Sequence, residues 1–167
     1  KSIKKPIVIV GAGFGGMTCF NNIENYGHDW SVGYNFMPDV VVIPNKTCDI
    51  PKLLKLANEY KFPVTVRGRG TGTTGGALPY KGGVVLSLEK LNKIIEFDPD
   101  NAIIKVEPGV LTKDIHSKAE SAGLFYPPDP ASLDICSIGG NIAENAGGPR
   151  ALKYGVTGEY VLGLSGY

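Results

Sequence analysis

The stretch that decides the fold of this chain reads Pro63-Val-Thr-Val-Arg-Gly-Arg-Gly-Thr-Gly-Thr-Thr-Gly-Gly-Ala-Leu-Pro79. Its apolar start, Val64 to Val66, predicts a short strand that leads into a glycine-rich loop. The glycines permit positive φ and a close ligand approach, and successive N–H groups in such a loop can converge on an anion. Threonine hydroxyls add donors, and Arg67 and Arg69 add positive charge. The combination predicts a phosphate or diphosphate site. The alternative, a flexible turn, does not account for the strand, the threonines and the arginines together.

The composition favours one domain, or a domain and part of another. The chain has 167 residues, enough to bury a core, and a formal net charge of +1. This balance predicts neither a nucleic-acid nor an anionic-membrane partner, and no apolar run reaches the length of a membrane span. The 23 glycines cluster near residues 11–16, 68–76 and 139–148, which indicates ligand loops rather than low complexity.

Cysteine and histidine usage narrows the chemistry. The three cysteines are widely spaced and odd in number, which favours free thiols in a reducing compartment and therefore a cytoplasmic location. We expect no signal peptide, because the apolar run at residues 7–10 is short and continues straight into glycines. With only two histidines, neither a metal cluster nor a Ser-His-Asp set is expected.

The N-terminus carries a separate glycine motif. The run Pro6-Ile-Val-Ile-Val10 precedes Gly11, Gly13 and Gly16, which form a Gly-x-Gly-x-x-Gly dinucleotide fingerprint. The second strand and acidic residue that the fingerprint requires are missing. Residues 1–30 therefore read as an orphan βα unit. It is either a nucleotide site, a segment packed at the edge of the next domain, or a foreign junction.

From Met37 onward the pattern becomes that of a β-α-β unit. Val40–Ile43 is a short buried strand, and an apolar face over Thr47–Tyr60 predicts a helix with Asp49 as N-cap and Pro51 in its first turn. We expect Val40–Ile43 and Val64–Val66 to be parallel neighbours, with the glycine loop at the carboxyl end of the second strand.

The middle of the chain predicts further strands and one helix. Gly83–Leu88 is a strand, and Asp98-Pro-Asp-Asn101 predicts a type I turn between two strands of a hairpin. Thr112 is expected to cap a helix that runs to about Ala122 with Gly123 at its end. His116 falls off the expected inward face, so we interpret it as a solvated histidine.

The last third contains a second loop-forming stretch. Tyr126-Pro-Pro-Asp-Pro130 should be extended. The following run, Ser137-Ile-Gly-Gly-Asn-Ile-Ala-Glu-Asn-Ala-Gly-Gly-Pro149, repeats the small, donor-rich character of the first loop. A helical turn would place Asn141 and Asn145 on one face, either for binding or for capping. A final strand is expected near Tyr160.

Three blocks together carry a family resemblance: Met37–Pro44, Pro63–Ala77, and Tyr126–Pro130 through Ser137–Val156. Together they resemble the FAD-binding domain of the vanillyl-alcohol oxidase/PCMH superfamily, in particular the glycolate oxidase and D-lactate dehydrogenase group. The resemblance covers about residues 26–164. It implies an α+β, PCMH-type domain over residues 31–167, built of two α/β subdomains with FAD between them and incomplete at its C-terminus.

The resemblance also implies a set of cofactor-binding residues. Those at the diphosphate are Arg67, Gly68, Arg69, Gly70, Thr71, Gly72, Thr74 and Gly75. Those along the rest of the cofactor are Pro130, Ser132, Ser137, Gly139, Gly140, Asn141, Asn145 and Gly147. Arg69 departs from the small residue usual in the group, so its side chain either neutralises the diphosphate or crowds it. No histidine stands where a covalent flavin link would form, which predicts non-covalent FAD.

The function implied by the resemblance is oxidation of a D-2-hydroxy acid to a 2-oxo acid, with electrons passing to a quinone, an electron-transfer flavoprotein or another carrier. A cap domain beyond this chain would supply the substrate-binding and catalytic groups, so the chain alone is expected to be inactive. Two alternatives stay open. One is a non-catalytic NAD(P)- or FAD-binding module that uses Gly11–Gly16, and the other is a fragment without a ligand.

Overall fold

The computed structural model describes residues 7–10 and 23–167, which form two compact units. Unit 1 comprises the chain up to Lys90 together with Tyr167, and unit 2 comprises residues 91–166. The glycine motif Gly11–Gly16 and the helix expected after it lie outside the described residues, apart from a short 3-10 turn at Ile23–Tyr26. The boundary near residue 30 stays a prediction. Among the described helices, none combines the length and apolarity needed to cross a membrane.

Unit 1 is built on a parallel sheet. In chain order its elements are β1 (Ile7–Val10), β2 (Val40–Ile43), α1 (Ile50–Tyr60), β3 (Val64–Arg67) and β4 (Val84–Ser87). The strands lie in the order β1-β2-β4-β3, all parallel. All four residues of β4 are buried, as a central strand covered on both faces requires.

Side chains alternate between the two faces of this sheet, as the two-residue period of a strand dictates. One face carries a buried cluster formed by Ile23, Val41, Ile43 and Val85. The other face packs against α1 through a cluster formed by Leu53, Val84 and Leu86. The helix therefore covers one side of the sheet and the 3-10 turn covers the other.

The strand order corrects one prediction. The β2 and β3 strands are parallel, but they are not neighbours, because β4 lies between them. Val84 pairs with Val40 on one side and with Val64 on the other. The apolar strand β4 occupies the buried central position between β2 and β3. The prediction considered only the β-α-β segment, which ends before β4 begins.

Helix α1 begins later than expected. A 3-10 turn, Thr47–Asp49, precedes it, and Asp49 makes no side-chain capping bond but pairs with Lys52 at 2.8 Å. Pro51 lies in the first turn, as predicted. The helix ends at Tyr60, and the next residue, Lys61, has a left-handed φ of 55°.

Unit 2 combines a hairpin with short helices. Its elements are β5 (Ile94–Asp98), β6 (Ile103–Val106), α2 (Thr112–Glu120), α3 (Ile138–Ala143) and α4 (Ala151–Tyr154). The antiparallel pairing of β5 and β6 confirms the hairpin, whose turn is held by the Asn101 N–H donating to Asp98 Oδ1 at 3.1 Å. Its core is a buried cluster of Val110, Ile115 and Ile138.

Helix α2 corrects three predictions. Thr112 is not a side-chain cap but is fully buried within the helix, and Ala122 is exposed beyond its end. His116 is buried rather than solvated, with Nε2 2.7 Å from the Pro128 carbonyl oxygen and its ring edge-on to Tyr126. Gly123, with φ of 75°, follows the helix end as predicted.

The last expected element is also different. Residues Thr157–Tyr160 form a 3-10 turn, and residues 161–167 form no regular element, where a strand was predicted. Thr157 anchors this turn, because its buried hydroxyl donates to the Ala146 carbonyl oxygen at 2.7 Å.

Candidate functional site

The glycine loop begins where β3 ends, at the carboxyl edge of the parallel sheet of unit 1. Arg67 is the last residue of β3 and lies beside Ser87, the last residue of β4. Ligands of open α/β sheets bind at this edge. Gly70 and Gly75 have φ of 67° and 81°, a left-handed conformation in which a side chain is strained. The positive φ that the sequence allows for glycines of this loop is therefore observed at Gly70 and Gly75.

The Arg67 side chain is directed away from solvent and into unit 1. It is only 6% exposed. Nη1 donates to the His28 carbonyl oxygen at 2.7 Å and Nη2 donates to the Asn25 carbonyl oxygen at 3.0 Å. The guanidinium also lies 5.8 Å from the Tyr26 ring centroid. Burial lowers its pKa, and the charge of Asp29 partly offsets this effect.

Gly70 and Gly72 fit closely to these groups. A Cβ on Gly70 would collide with the Arg67 guanidinium, so a side chain there would displace the guanidinium and would also be strained at this φ. The Gly72 carbonyl oxygen accepts a hydrogen bond from the Trp30 N–H at 3.0 Å. Among the described residues, no atom lies within 4 Å of a Cβ placed on Gly72.

Arg69 supplies the charge at the loop surface. Its Nη1 lies 4.0 Å from Glu89 Oε2, and its side chain is 33% exposed. Glu89 also accepts a hydrogen bond from the Tyr26 hydroxyl at 3.1 Å. Burial, followed by the negative charge of Glu89, raises the pKa of Tyr26 to about 12. Such long ion pairs at a surface are weak, which leaves Arg69 available to a phosphate.

The second predicted stretch lies in unit 2. Residues 124–130 have no regular structure and lead to a turn in which the Ser132 carbonyl oxygen accepts from Cys136 N–H at 2.8 Å. Ser137, directly before α3, is 2% exposed, and its Oγ has no hydrogen-bond partner among the described residues. A buried hydroxyl without a partner is costly, so it marks a position suited to a polar ligand atom.

The glycines of this stretch differ in their surroundings. A Cβ on Gly139 would lie 2.8 Å from Pro108 Cβ, so this glycine is needed for packing. A Cβ on Gly140 would lie 3.7 Å from Ser137 Oγ, an ordinary van der Waals contact, so this glycine lies directly beside the unpartnered hydroxyl. A Cβ on Gly147 would lie 3.3 Å from Ala151 Cβ, which makes this a tight position.

The two asparagines do not share a helix face, which corrects that expectation. Asn141 is buried in α3, and its Nδ2 donates to Thr112 Oγ1 at 2.6 Å. Asn145 lies beyond the end of α3 with φ of 49°, and its Oδ1 accepts from Gly158 N–H at 2.8 Å. Both amides therefore fix unit 2 internally, in addition to any contact with a ligand.

The structure groups the predicted residues in two sets. The loop set, from Arg67 to Gly75, is contiguous in unit 1, and the set from Pro130 to Gly147 is contiguous in unit 2.

Two polar residues near the loop set were missed from the sequence. Asp29 is 6% exposed and its Oδ2 has no partner among the described residues, and Ser87 is fully buried with an unpartnered Oγ. The sequence does contain a feature that could have identified Ser87, because this residue is polar and stands at the carboxyl end of an apolar strand.

Comparisons with known proteins agree with this architecture. A family model described as an FAD binding domain matches residues 38–165. The chain is 48% identical over 139 residues to glycolate oxidase subunit GlcD of Bacillus subtilis, a match that covers 83% of this chain and 30% of that protein. It is 44% identical over 143 residues to D-lactate dehydrogenase of Anaerostipes hadrus, covering 85% and 30%.

Solved structures show the same fold at lower identity. The 6-hydroxy-D-nicotine oxidase of Arthrobacter nicotinovorans aligns with a TM-score of 0.69 at 22% identity, over 83% of this chain and 30% of that one. An alkyldihydroxyacetonephosphate synthase aligns with a TM-score of 0.73 at 19% identity, over 82% and 27%. The chain spans about 30% of the length of the curated relatives quoted above. With a mixed α/β fold and a family match over most of its length, the chain belongs to the family of PCMH-type FAD-binding domains.

Proposed function

We propose that this chain is the FAD-binding portion of a flavin-dependent oxidoreductase that converts a D-2-hydroxy acid of the glycolate or D-lactate type to the 2-oxo acid. The observation that carries the proposal is the glycine loop at the carboxyl edge of the unit 1 sheet, in a chain nearly half identical to a glycolate oxidase subunit. FAD would supply the two-electron chemistry, and the protein would bind and orient it.

The residues present fit such a cofactor. The loop offers backbone N–H groups between Gly70 and Gly75, open space at Gly72, and the charge of Arg69 for the paired phosphates. Unit 2 offers the Ser137 hydroxyl, which has no hydrogen-bond partner among the described residues, with Gly140 directly beside it. We propose that residues of both sets bind FAD, without a covalent bond. The remaining members of the set are Gly68, Thr71, Thr74, Pro130, Ser132, Gly139, Asn141, Asn145 and Gly147.

The rest of the reaction is assigned outside this chain. We propose that a cap domain positions the hydroxy acid and that electrons leave to a quinone or an acceptor protein, because the relatives named above are more than three times as long as the matched region. No catalytic acid or base is assigned among the residues of this chain. A cytoplasmic location stays a prediction from cysteine usage.

The proposal is tested by titrating the purified chain with FAD, following flavin fluorescence and thermal unfolding. At an FAD concentration of 100 times Kd, binding should raise the unfolding free energy by about 2.7 kcal/mol. Gly72→Leu and Gly140→Leu should each raise Kd about tenfold or more, equivalent to about 1.4 kcal/mol or more. Among the described residues, a Cβ on Gly72 meets nothing within 4 Å, and a Cβ on Gly140 makes only a van der Waals contact at 3.7 Å with Ser137 Oγ. The unfolding temperature without FAD, measured for each variant, separates lost binding from lost stability.

Two control variants separate the alternatives. Gly163→Leu places the same side chain at a position with nothing within 4 Å, and it should bind FAD like the wild type. Gly13→Leu tests the N-terminal motif, and loss of binding there alone would favour the NAD(P)- or FAD-binding module. An unchanged flavin signal together with an unchanged unfolding temperature would refute FAD binding and favour a chain without a ligand.

A further inference from the structure

Arg67 stands out because its charge is satisfied inside the protein. Sequence patterns place it first in the anion-binding loop, yet its guanidinium is buried and donates to two carbonyl oxygens of the segment 25–30, at Asn25 and His28. The Tyr26 ring lies against the same guanidinium. Both Nη atoms of Arg67 donate to carbonyl oxygens, and the residue is only 6% exposed, so its guanidinium faces the protein rather than a ligand at the loop surface.

The segment 25–30 and the loop are joined a second time. The Trp30 N–H donates to the Gly72 carbonyl oxygen at 3.0 Å, on the far side of Gly70 from Arg67 along the chain. The two connections therefore enclose Gly70. A Cβ on Gly70 would displace the guanidinium, and the φ of Gly70 is 67°. The guanidinium thus fills the volume beneath this turn of the loop.

Arg69 has the opposite surroundings. Its side chain is one-third exposed, and its pairing with Glu89 at 4.0 Å is long. The two arginines of the loop are therefore divided between an internal contact and a charge available at the surface. This division follows from the backbone, because residues two apart point to the same side only while a strand continues, and β3 ends at Arg67.

We propose that Arg67 is a positioning residue that locks the segment 25–30 and the loop 67–72 into one rigid element, and that Arg69 is the arginine that contacts the cofactor's phosphates. The proposal rests on the proposed function for its phosphate half. Its mechanical half concerns the protein without any ligand. The hydrogen bonds that join the segment 25–30 to the loop fix the left-handed turn at Gly70 before any ligand binds. The N–H groups of the loop are then already arranged when the anion arrives.

The mechanical half is tested by amide hydrogen exchange on the full chain without FAD. Arg67→Met should speed exchange in peptides covering residues 23–31 and 68–77 together, by about tenfold or more, since two charge-assisted hydrogen bonds are lost. Peptides of unit 2 should not change. Arg67→Lys keeps the charge but cannot bridge two carbonyl oxygens with a planar fork, so it should restore the protection only in part.

Arg150→Met is the matched control. Arg150 is a partly exposed arginine of unit 2 that pairs with Asp129 at 3.3 Å. The same chemical change there should leave exchange in residues 23–31 and 68–77 as in the wild type. If Arg67→Met unfolds the whole chain, Arg67→Lys gives the local comparison.

The phosphate half is tested by FAD affinity at low and high salt. Arg69→Met should weaken binding and reduce its salt dependence, without changing exchange in the loop. Arg67→Met should weaken binding while the salt dependence stays as in the wild type, because the charge at the phosphates remains. A lost salt dependence in Arg67→Met would make Arg67 the direct ligand and overturn the assignment.

The outcomes separate the two proposals. Unchanged hydrogen exchange in both Arg67 variants overturns the positioning role of Arg67, whether or not the chain binds FAD. If Arg67→Met exchanges faster but the wild-type chain does not bind FAD at all, the positioning role of Arg67 is supported and the proposed function is refuted.

Discussion

Thr112 gives the sharpest test of how unit 2 is held together. It is fully buried, and its Oγ1 accepts from Asn141 Nδ2 at 2.6 Å and from Cys136 Sγ at 3.3 Å. Thr112→Val keeps the shape of the side chain but removes the acceptor. The Asn141 amide, itself buried, then loses this partner.

The expected magnitude follows from the orphaned amide. A buried polar group left unsatisfied costs about 1–3 kcal/mol, whereas the thiol is a weak donor and adds little. We therefore expect Thr112→Val to lower the unfolding free energy by about 2 kcal/mol. For a unit of this size that loss corresponds to a fall of roughly 8–16 °C in unfolding temperature.

Urea unfolding followed by circular dichroism measures the effect. The midpoint should fall while the slope of free energy against urea stays constant. Ser121→Ala is the control, because it removes an exposed hydroxyl that donates to the Lys118 carbonyl oxygen just beyond the same helix. Its effect should stay within about 0.5 kcal/mol.

A double variant completes the test. Thr112→Val combined with Asn141→Leu removes both partners, so its loss should be smaller than the sum of the two single losses. A Thr112→Val midpoint equal to that of Ser121→Ala would refute the reasoning. Strict additivity in the double variant would do the same.

Three further predictions concern other parts of the chain. Gly83→Ala should destabilise unit 1 by more than about 1 kcal/mol, because φ is 74° and the new Cβ would collide with the Pro63 carbonyl oxygen; Gly33→Ala, with φ of 85° and nothing within 4 Å, should cost less in the same urea assay. His116→Ala should lower the unfolding temperature of unit 2 through the lost contacts with Pro128 and Tyr126, and an unchanged temperature would contradict a structural role. The pKa of Tyr26 is raised to about 12 in the folded chain, so the unfolding free energy should fall as the pH rises from about 10 to about 12. Tyr26→Phe should lack this part of the fall. Urea denaturation of the wild type and of Tyr26→Phe over this pH range measures the difference.

The sequence predicted a strand, a helix and a hairpin turn whose formation depends on neighbouring residues in the chain. The strand at Val40–Ile43, the helix that ends at Tyr60 and the hairpin turn at Asp98–Asn101 follow from apolar periodicity and turn chemistry. Strand order did not follow, because the burial of β4 on both faces decides it and β4 enters the chain after the β-α-β unit.

The errors on α2 have a different cause. Thr112, Ile115, His116 and Ala119 lie three and four residues apart and are all buried, so they form one helical face. The prediction treated Thr112 as a cap, extended the helix to about Ala122 and placed His116 outside the inward face. The partner that buries His116 is the proline-rich segment ending near Pro128, which is distant from the helix pattern.

The sequence could not predict whether each candidate side chain points into the protein or toward solvent. The pattern of the loop identified both arginines as positive charge near an anion, yet Arg67 turns inward and Arg69 outward. Nothing in the two residue types distinguishes them. The distinction comes from carbonyl oxygens about 40 residues earlier in the chain, at Asn25 and His28.

The attachment of Trp30 to the loop gives the chain a built-in optical reporter. Trp30 is the single tryptophan of the sequence, its side chain is 51% exposed, and its main chain is bonded to Gly72. Selective excitation of its indole therefore reports on the surroundings of a residue whose main chain is bonded to the loop, with no dye and no engineered label. Rearrangement of that backbone would be visible as an altered emission maximum in real time.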